Sequence, residues 1–204
     1  MRLILASGSP RRRQLLARLD IPFETIAPRH QEKLLPGESP AESCLRLATE
    51  KAGKVAQQAP GALVVGADTI VVLGNRVMGK PTDLDDARRM LAALSGRTHQ
   101  VQTAVALVAL ERGHRSNFVE TTEVTFHALE KGDIEHYLST DPPLDKAGAY
   151  GIQDWSGVFV QRVAGCYHNV MGFPLAQFYK HLKDMGLWPD LAGTKHLEPP
   201  SGLP

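Results

Sequence analysis

The run LVVGADTIVVL, Leu63 to Leu73, constrains this chain more than any other stretch. Its apolar, β-branched composition specifies a strand in the middle of a sheet. Asp68 interrupts it, and a buried carboxylate without a partner is very costly. Either Asp68 faces solvent at a strand end, or a cation stands beside it. Gly74-Asn75 follows at once and offers a two-residue hairpin turn. Counting back through that turn pairs Leu73 with Arg76, and hence Thr69 with Lys80. Lys80 would then lie one residue along from Asp68 on the neighbouring strand.

A second cation comes from SPAESCLRLATEKAGKVAQQ. Ser39, Pro40 and Glu42 form a capping box with proline at the first helical position, and the helix should run to about Gln57. Lys51 falls between Leu47 and Val55 at four-residue steps, so it shares their apolar face. It either snorkels outward or reaches into a polar site.

LILASGSPRRRQLL, near the start, holds a third feature. Leu3, Ile4 and Leu5 read as a buried strand, Ser9 as an N-cap and Pro10 as the first helical residue. Arg11, Arg12 and Arg13 then crowd a first turn whose dipole favours anions. Three solvated arginines are one reading. A polyanionic ligand is the other, since helix N-termini bind anions through backbone N–H groups and guanidinium forks match phosphate oxygens.

Elsewhere helical patterns cover residues 14–19, 82–94, 133–139 and 173–185, with strands in VQTAVALVAL, FVETTEVTF and GVFVQRVAG. The polar ERGHRSN reads as the turn between two of them. Alternating strands and helices argue an α/β fold. Beyond Trp188 the Pro/Gly-rich sequence reads as a loose tail, so we expect one domain over 1–190 and a flexible tail over 191–204. With 23 Lys+Arg against 22 Asp+Glu, net charge gives no reason to expect nucleic acid or a membrane surface as partner, and a basic site must be local. Cys44 and Cys166 are too few for a disulfide framework or zinc cluster and suit reduced thiols in the cytoplasm. No secretory leader or spanning segment is expected.

Three further stretches carry weaker signals. Glu32 lies in a loop with His30 and Gln31. SGRTHQV, residues 95–101, suits either a surface turn or a phosphate contact. DKAGAYGIQ, residues 145–153, combines Lys146 with small residues that permit close approach of a ligand.

LASGSPRR, GADTIVVL, GKP, SGRTHQV, DKAGAYGIQ and NVMGFP resemble, in order and spacing, the Maf family of nucleoside triphosphate pyrophosphatases, from about Leu3 to Leu187. The resemblance implies a Maf-type α/β fold similar to that of inosine triphosphate pyrophosphatases: a long mixed sheet flanked by helices, with a cleft between two lobes. It implies cleavage of a nucleoside triphosphate to monophosphate and pyrophosphate with a divalent cation, Mg²⁺ or Mn²⁺, and often a homodimer. Asp68 matches the family's proton acceptor. Ser9, Arg12, Glu32, Lys51 and Lys80 match groups lining the phosphate cleft, and we expect Asp68 and Glu32 to hold the metal as oxygen ligands. Arg11, Thr69 and Gln153 match the positions tied to substrate choice, and this set is that of the branch acting on dTTP and UTP. The branch acting on 7-methyl-GTP carries an aromatic, Gln and Glu there. Trp155 departs from the pattern and is placed to reshape the base pocket. A 7-methyl-GTP pyrophosphatase and a nucleotide-binding regulator of septum formation are the rival readings. The presence of both Asp68 and Glu32 favours an enzyme.

Overall fold

The structure, a computed structural model, describes residues 1–28 and 35–193. The central strand is Leu63–Leu73 (β3), as its composition requires. Leu3–Ala6 (β1) runs parallel to it and pairs Leu3 with Leu63 through Ala6 with Gly66. Glu24–Thr25 (β2), too short and polar to be legible in sequence, extends the sheet beyond β1. Arg76–Met78 (β4) returns antiparallel after Gly74-Asn75, pairing Leu73 with Arg76 and Val71 with Met78. Thr98–Ala109 (β5), His114–Phe126 (β6) and Val160–Ala164 (β7) complete the sheet. Among the described residues seven strands form one mixed sheet, ordered β2-β1-β3-β5-β6-β7 with β4 on β3.

Two departures concern element ends. β6 begins inside the stretch ERGHRSN, because the β5–β6 ladder runs on to Ala109 opposite His114 and exposed polar side chains do not interrupt it. Trp188–Ala192 is a short helix (α7) with Leu191 buried, so order continues past Trp188.

The registers expose a feature of the sheet on which the site depends. β5 pairs with β3 from Val64 to Val72 and so occupies one whole edge of it. β1 and β4 must share the other edge, one after the other. β1 stops opposite Gly66 and β4 starts opposite Val71. Between them the sheet is split, and Asp68 and Thr69 stand at the split. Crevices beyond strand ends are where open α/β sheets bind ligands.

Alternation along β3 sends these two side chains to opposite faces. Residues of even number, with Ile4 and Ala6, pack under Pro40–Ala56 (α2) through Cys44, Ala48, Ala52 and Val55. Residues of odd number join the larger core with Pro10–Ala17 (α1), Leu84–Leu94 (α3), Lys131–Thr140 (α4), Tyr167–Val170 (α5) and Leu175–Asp184 (α6). No helix among the described residues is long and apolar enough to cross a membrane.

α2 lies very close to the sheet because Gly66 has no side chain. A Cβ there would come within 2.3 Å of the Ala48 carbonyl oxygen and 2.7 Å of the Ala52 nitrogen, both backbone atoms. Gly66→Ala must therefore push α2 outward, and overpacking of this kind costs about 1–3 kcal/mol. Urea denaturation should show that loss. An unchanged midpoint would mean that α2 can shift freely over β3.

Candidate active site

On the α2 face, Lys51 Nζ donates to Asp68 Oδ1 at 2.5 Å. Both residues are buried, at 7% and 5% exposure, so the cation that Asp68 demanded is supplied by the helix. Lys51 does not snorkel away; the shared face with Leu47 and Val55 carries it inward. Beneath it the Cys44 thiol donates to the Asp68 carbonyl oxygen at 3.3 Å. Burial, helped by the Asp68 charge, pushes that thiol up to about 12, so it stays protonated and bonded. Cys44 and Cys166 are both free.

On the opposite face the arginines of α1 find partners. Ser9 caps the helix, accepting from the Arg12 N–H at 3.4 Å. Arg12 Nε donates to the Gly172 carbonyl at 2.9 Å and Nη2 to Thr69 Oγ1 at 3.0 Å. Arg11 Nη1 donates to Asp145 Oδ2 at 2.8 Å. Arg13 is exposed. The crowded first turn is thus offset within the protein: two of its cations tie α1 to segments far along the chain.

These groups meet in a cavity of about 370 Å³. Of the residues singled out in the sequence, Ser9, Arg11, Arg12, Lys51, Asp68, Thr69, Lys80 and Gln153 all line it. Glu32 lies outside the described residues. The hairpin register that aimed Lys80 at Asp68 holds as far as Val71 opposite Met78, and Gly79 is then bonded through its carbonyl to the Gly148 N–H at 3.0 Å. Lys80 therefore reaches the cavity from a loop anchored to residues 145–153.

DKAGAYGIQ lines the cavity through Lys146, Ala147, Tyr150, Gly151 and Gln153, and its glycines also serve packing: a Cβ on Gly148, whose φ is +68°, would lie 2.9 Å from the Val71 side chain. Lys146 is buried and spans Asp145 at 3.2 Å and Asp154 at 3.5 Å. Two other readings change, those of Trp155 and SGRTHQV. Trp155 does not shape the cavity; it stacks on Tyr137 with centroids 6.0 Å apart and packs edge-on against Phe159. From SGRTHQV the cavity receives only Val101. His99 turns the other way, into the core.

Several polar groups behind the cavity escaped the sequence reading. His99 Nε2 and the Tyr150 hydroxyl are 2.8 Å apart, and Tyr150 forms part of the cavity wall. Thr103 and Asn169 are fully buried and bonded to one another. For His99 and Thr103 the signal was a polar residue at an inward position of β5, the same signal that marked Asp68; Asn169, in the short helix Tyr167–Val170, gave none. Without a charge it was too weak to stand out.

Among the described residues no three His, Cys, Asp or Glu side chains converge as a metal cage. The donor set nevertheless suits a hard cation bound mainly through a ligand. Magnesium commonly takes one or two carboxylates and fills its shell with substrate phosphates and water. Asp68 is a carboxylate at the cavity floor with one oxygen on Lys51, which leaves Oδ2 for such a cation.

Residues 2–185 match the family model described as Maf-like protein. The chain is 50% identical over 187 residues to the dTTP/UTP pyrophosphatase of Anaeromyxobacter dehalogenans, covering 91% of this chain and 94% of that one. It is 49% identical to the dTTP/UTP pyrophosphatase of Escherichia coli over 183 residues, 89% of this chain and 92% of that one. The enzyme of the same name from Bacillus velezensis is 46% identical over 186 residues, 91% and 97% of the two chains.

Burial lowers the His99 imidazole from 6.5 to about 4. The folded protein therefore refuses a proton that the unfolded chain accepts below pH 6.5, and stability falls as pH drops toward 4. The size is about 3 kcal/mol over that window. Urea midpoints measured between pH 7 and pH 4 should fall more steeply for the native chain than for His99→Gln. Parallel slopes would contradict the assignment.

Proposed function

The chain belongs to the Maf family, and on that premise we propose that it hydrolyses nucleoside triphosphates, dTTP and UTP foremost, to the monophosphate and pyrophosphate. The observation that carries this reading is a buried carboxylate, Asp68, held by Lys51 at the floor of a cavity that also holds Arg11, Arg12, Lys80 and Lys146. A cavity so rich in cations suits a polyanion, and the carboxylate is the group that can handle water.

In this reading the triphosphate lies along the N-terminus of α1, where Ser9, Arg12 and Lys80 meet its oxygens. Water attacks the α-phosphorus, and pyrophosphate leaves. Asp68 orients that water and accepts its proton. Lys51 fixes the Asp68 carboxylate and, with Arg12 and Lys80, offsets the charge that grows on the phosphates. Asp68 and Glu32 would hold a divalent cation through oxygen ligands. When bound, such a cation lowers the pKa of its water and neutralises phosphate charge.

Arg11, Thr69 and Gln153 are the proposed choosers of the base. Gln153 lines the cavity, with Nε2 donating to Asp154 Oδ2 at 2.7 Å. Its amide carries both a donor and an acceptor, and so do the edges of uracil and thymine. The names of the three relatives agree with that preference. The working unit is proposed to be a homodimer, as the resemblance implies.

A panel of ribo- and deoxyribonucleoside triphosphates plus 7-methyl-GTP, with Mg²⁺ or Mn²⁺, tests the reading. Pyrophosphate should be released from dTTP and UTP. Asp68→Asn should lose about a thousandfold or more in kcat, the scale of removing a group from a concerted unit, while remaining folded. Turnover of 7-methyl-GTP alone, or a fully active Asp68→Asn, would overturn it.

A further inference from the structure

We infer that Thr103, a fully buried hydroxyl on β5, is a positioning residue that sets the direction of the hydrogen bonds holding Thr69 and Arg12 in the cavity. The inference rests on the functional reading above for its consequence and on proton counting for its logic.

Thr103 is 0% exposed and does not line the cavity. Its Oγ1 donates to the Asn169 carbonyl at 3.0 Å. A hydroxyl has a single proton, and a carbonyl can only accept. Thr103 has therefore no proton left for Thr69, although the two Oγ1 atoms are 3.0 Å apart. In that contact Thr69 must be the donor. Its own proton being spent, Thr69 can meet Arg12 only as an acceptor, and Arg12 Nη2 does donate to it at 3.0 Å. The protons thus point one way, from the guanidinium through two hydroxyls to a backbone carbonyl. Aligned chains of this kind strengthen each bond in them.

The far end closes the loop. Asn169 pins its segment by donating through Nδ2 to the Val101 carbonyl at 2.9 Å and to Thr122 Oγ1 at 3.0 Å. Three residues on, Gly172 offers the carbonyl that receives Arg12 Nε. Gly172 itself has a φ of +106°, and its N–H returns to the Asn169 carbonyl at 2.9 Å. Arg12 is thereby gripped at two nitrogens by groups that both trace back to Thr103 and Asn169.

Removing the Thr103 hydroxyl frees Thr69 to turn. The remaining acceptor within reach is the Gly172 carbonyl, 3.5 Å away, which already serves Arg12. The two then compete, and the guanidinium loses its fixed orientation. Thr103→Val should still fold, because valine fills nearly the same volume and the Asn169 carbonyl keeps the Gly172 N–H.

The test uses the full chain with Thr103→Val and Thr103→Ser, measuring kcat and KM for UTP and dTTP. Nitrogen-15 NMR of the Arg12 Nε–H is measured in parallel, without nucleotide. Thr103→Val should lose about tenfold in kcat/KM, the scale of a modest misplacement of a binding group. Its Arg12 Nε–H signal should shift and exchange faster with water. Thr103→Ser, which keeps the hydroxyl and loses the methyl, should stay within about twofold of the native chain with an unmoved signal. Native turnover and an unmoved signal in Thr103→Val would overturn the inference. So would equal damage in Thr103→Ser, which would assign the position to methyl packing. If the native chain turned over neither nucleotide, the functional reading would fall, and the Arg12 signal would still decide the role of Thr103.

Discussion

The contact between Lys51 and Asp68 governs how the rest of the molecule is arranged. Each of the two charges would cost several kcal/mol to bury alone, and breaking such a pair by removing one partner typically costs about 3–5 kcal/mol. Their burial is possible only because α2 lies almost on the backbone of β3, and that approach requires a glycine at position 66. Small residues at Ala48 and Ala52 complete the fit, and the Cys44 thiol ties the same helix to the Asp68 carbonyl. The polar pair is thus held by an apolar surface with almost no freedom to yield.

The second constraint is the split edge of β3. A continuous strand neighbour would have left Asp68 and Thr69 in an ordinary sheet. Because β1 ends at Ala6, opposite Gly66, and β4 reaches back only to Met78, opposite Val71, the chain can bring a helix N-terminus and the Lys80 loop to the same point from either side. Alternation then divides the labour. Asp68 meets a lysine on one face, and Thr69 meets an arginine on the other. The two faces of one strand thus supply the lysine-bound carboxylate and the arginine-bound hydroxyl of a single cavity.

Much of this was legible in the residues. A charge inside an apolar run marked Asp68, helical periodicity marked Lys51, and the Gly74-Asn75 turn set the register of β4. What stayed hidden depended on long-range contacts between uncharged groups. Thr103 and Asn169 carry no charge to betray them, and their side chains find partners 34 to 68 residues away along the chain. His99 read as part of a surface turn because nothing nearby in sequence announces Tyr150. Trp155 misled for the opposite reason: a large aromatic beside Gln153 suggests a base pocket, yet its partners on α4 draw it away. Lys146 does line the cavity, but the acidic neighbours that hold it there become obvious only once residues 141–154 are folded.

The proposed chemistry places the attack of water, poised at Asp68, on the α-phosphorus. Hydrolysis of UTP in water enriched in oxygen-18, followed by mass spectrometry of both products, addresses it directly. Attack at the α-phosphorus with pyrophosphate as the leaving group predicts the label in the monophosphate alone. Label in the pyrophosphate would place the attack at the β-phosphorus and contradict the role given to Asp68.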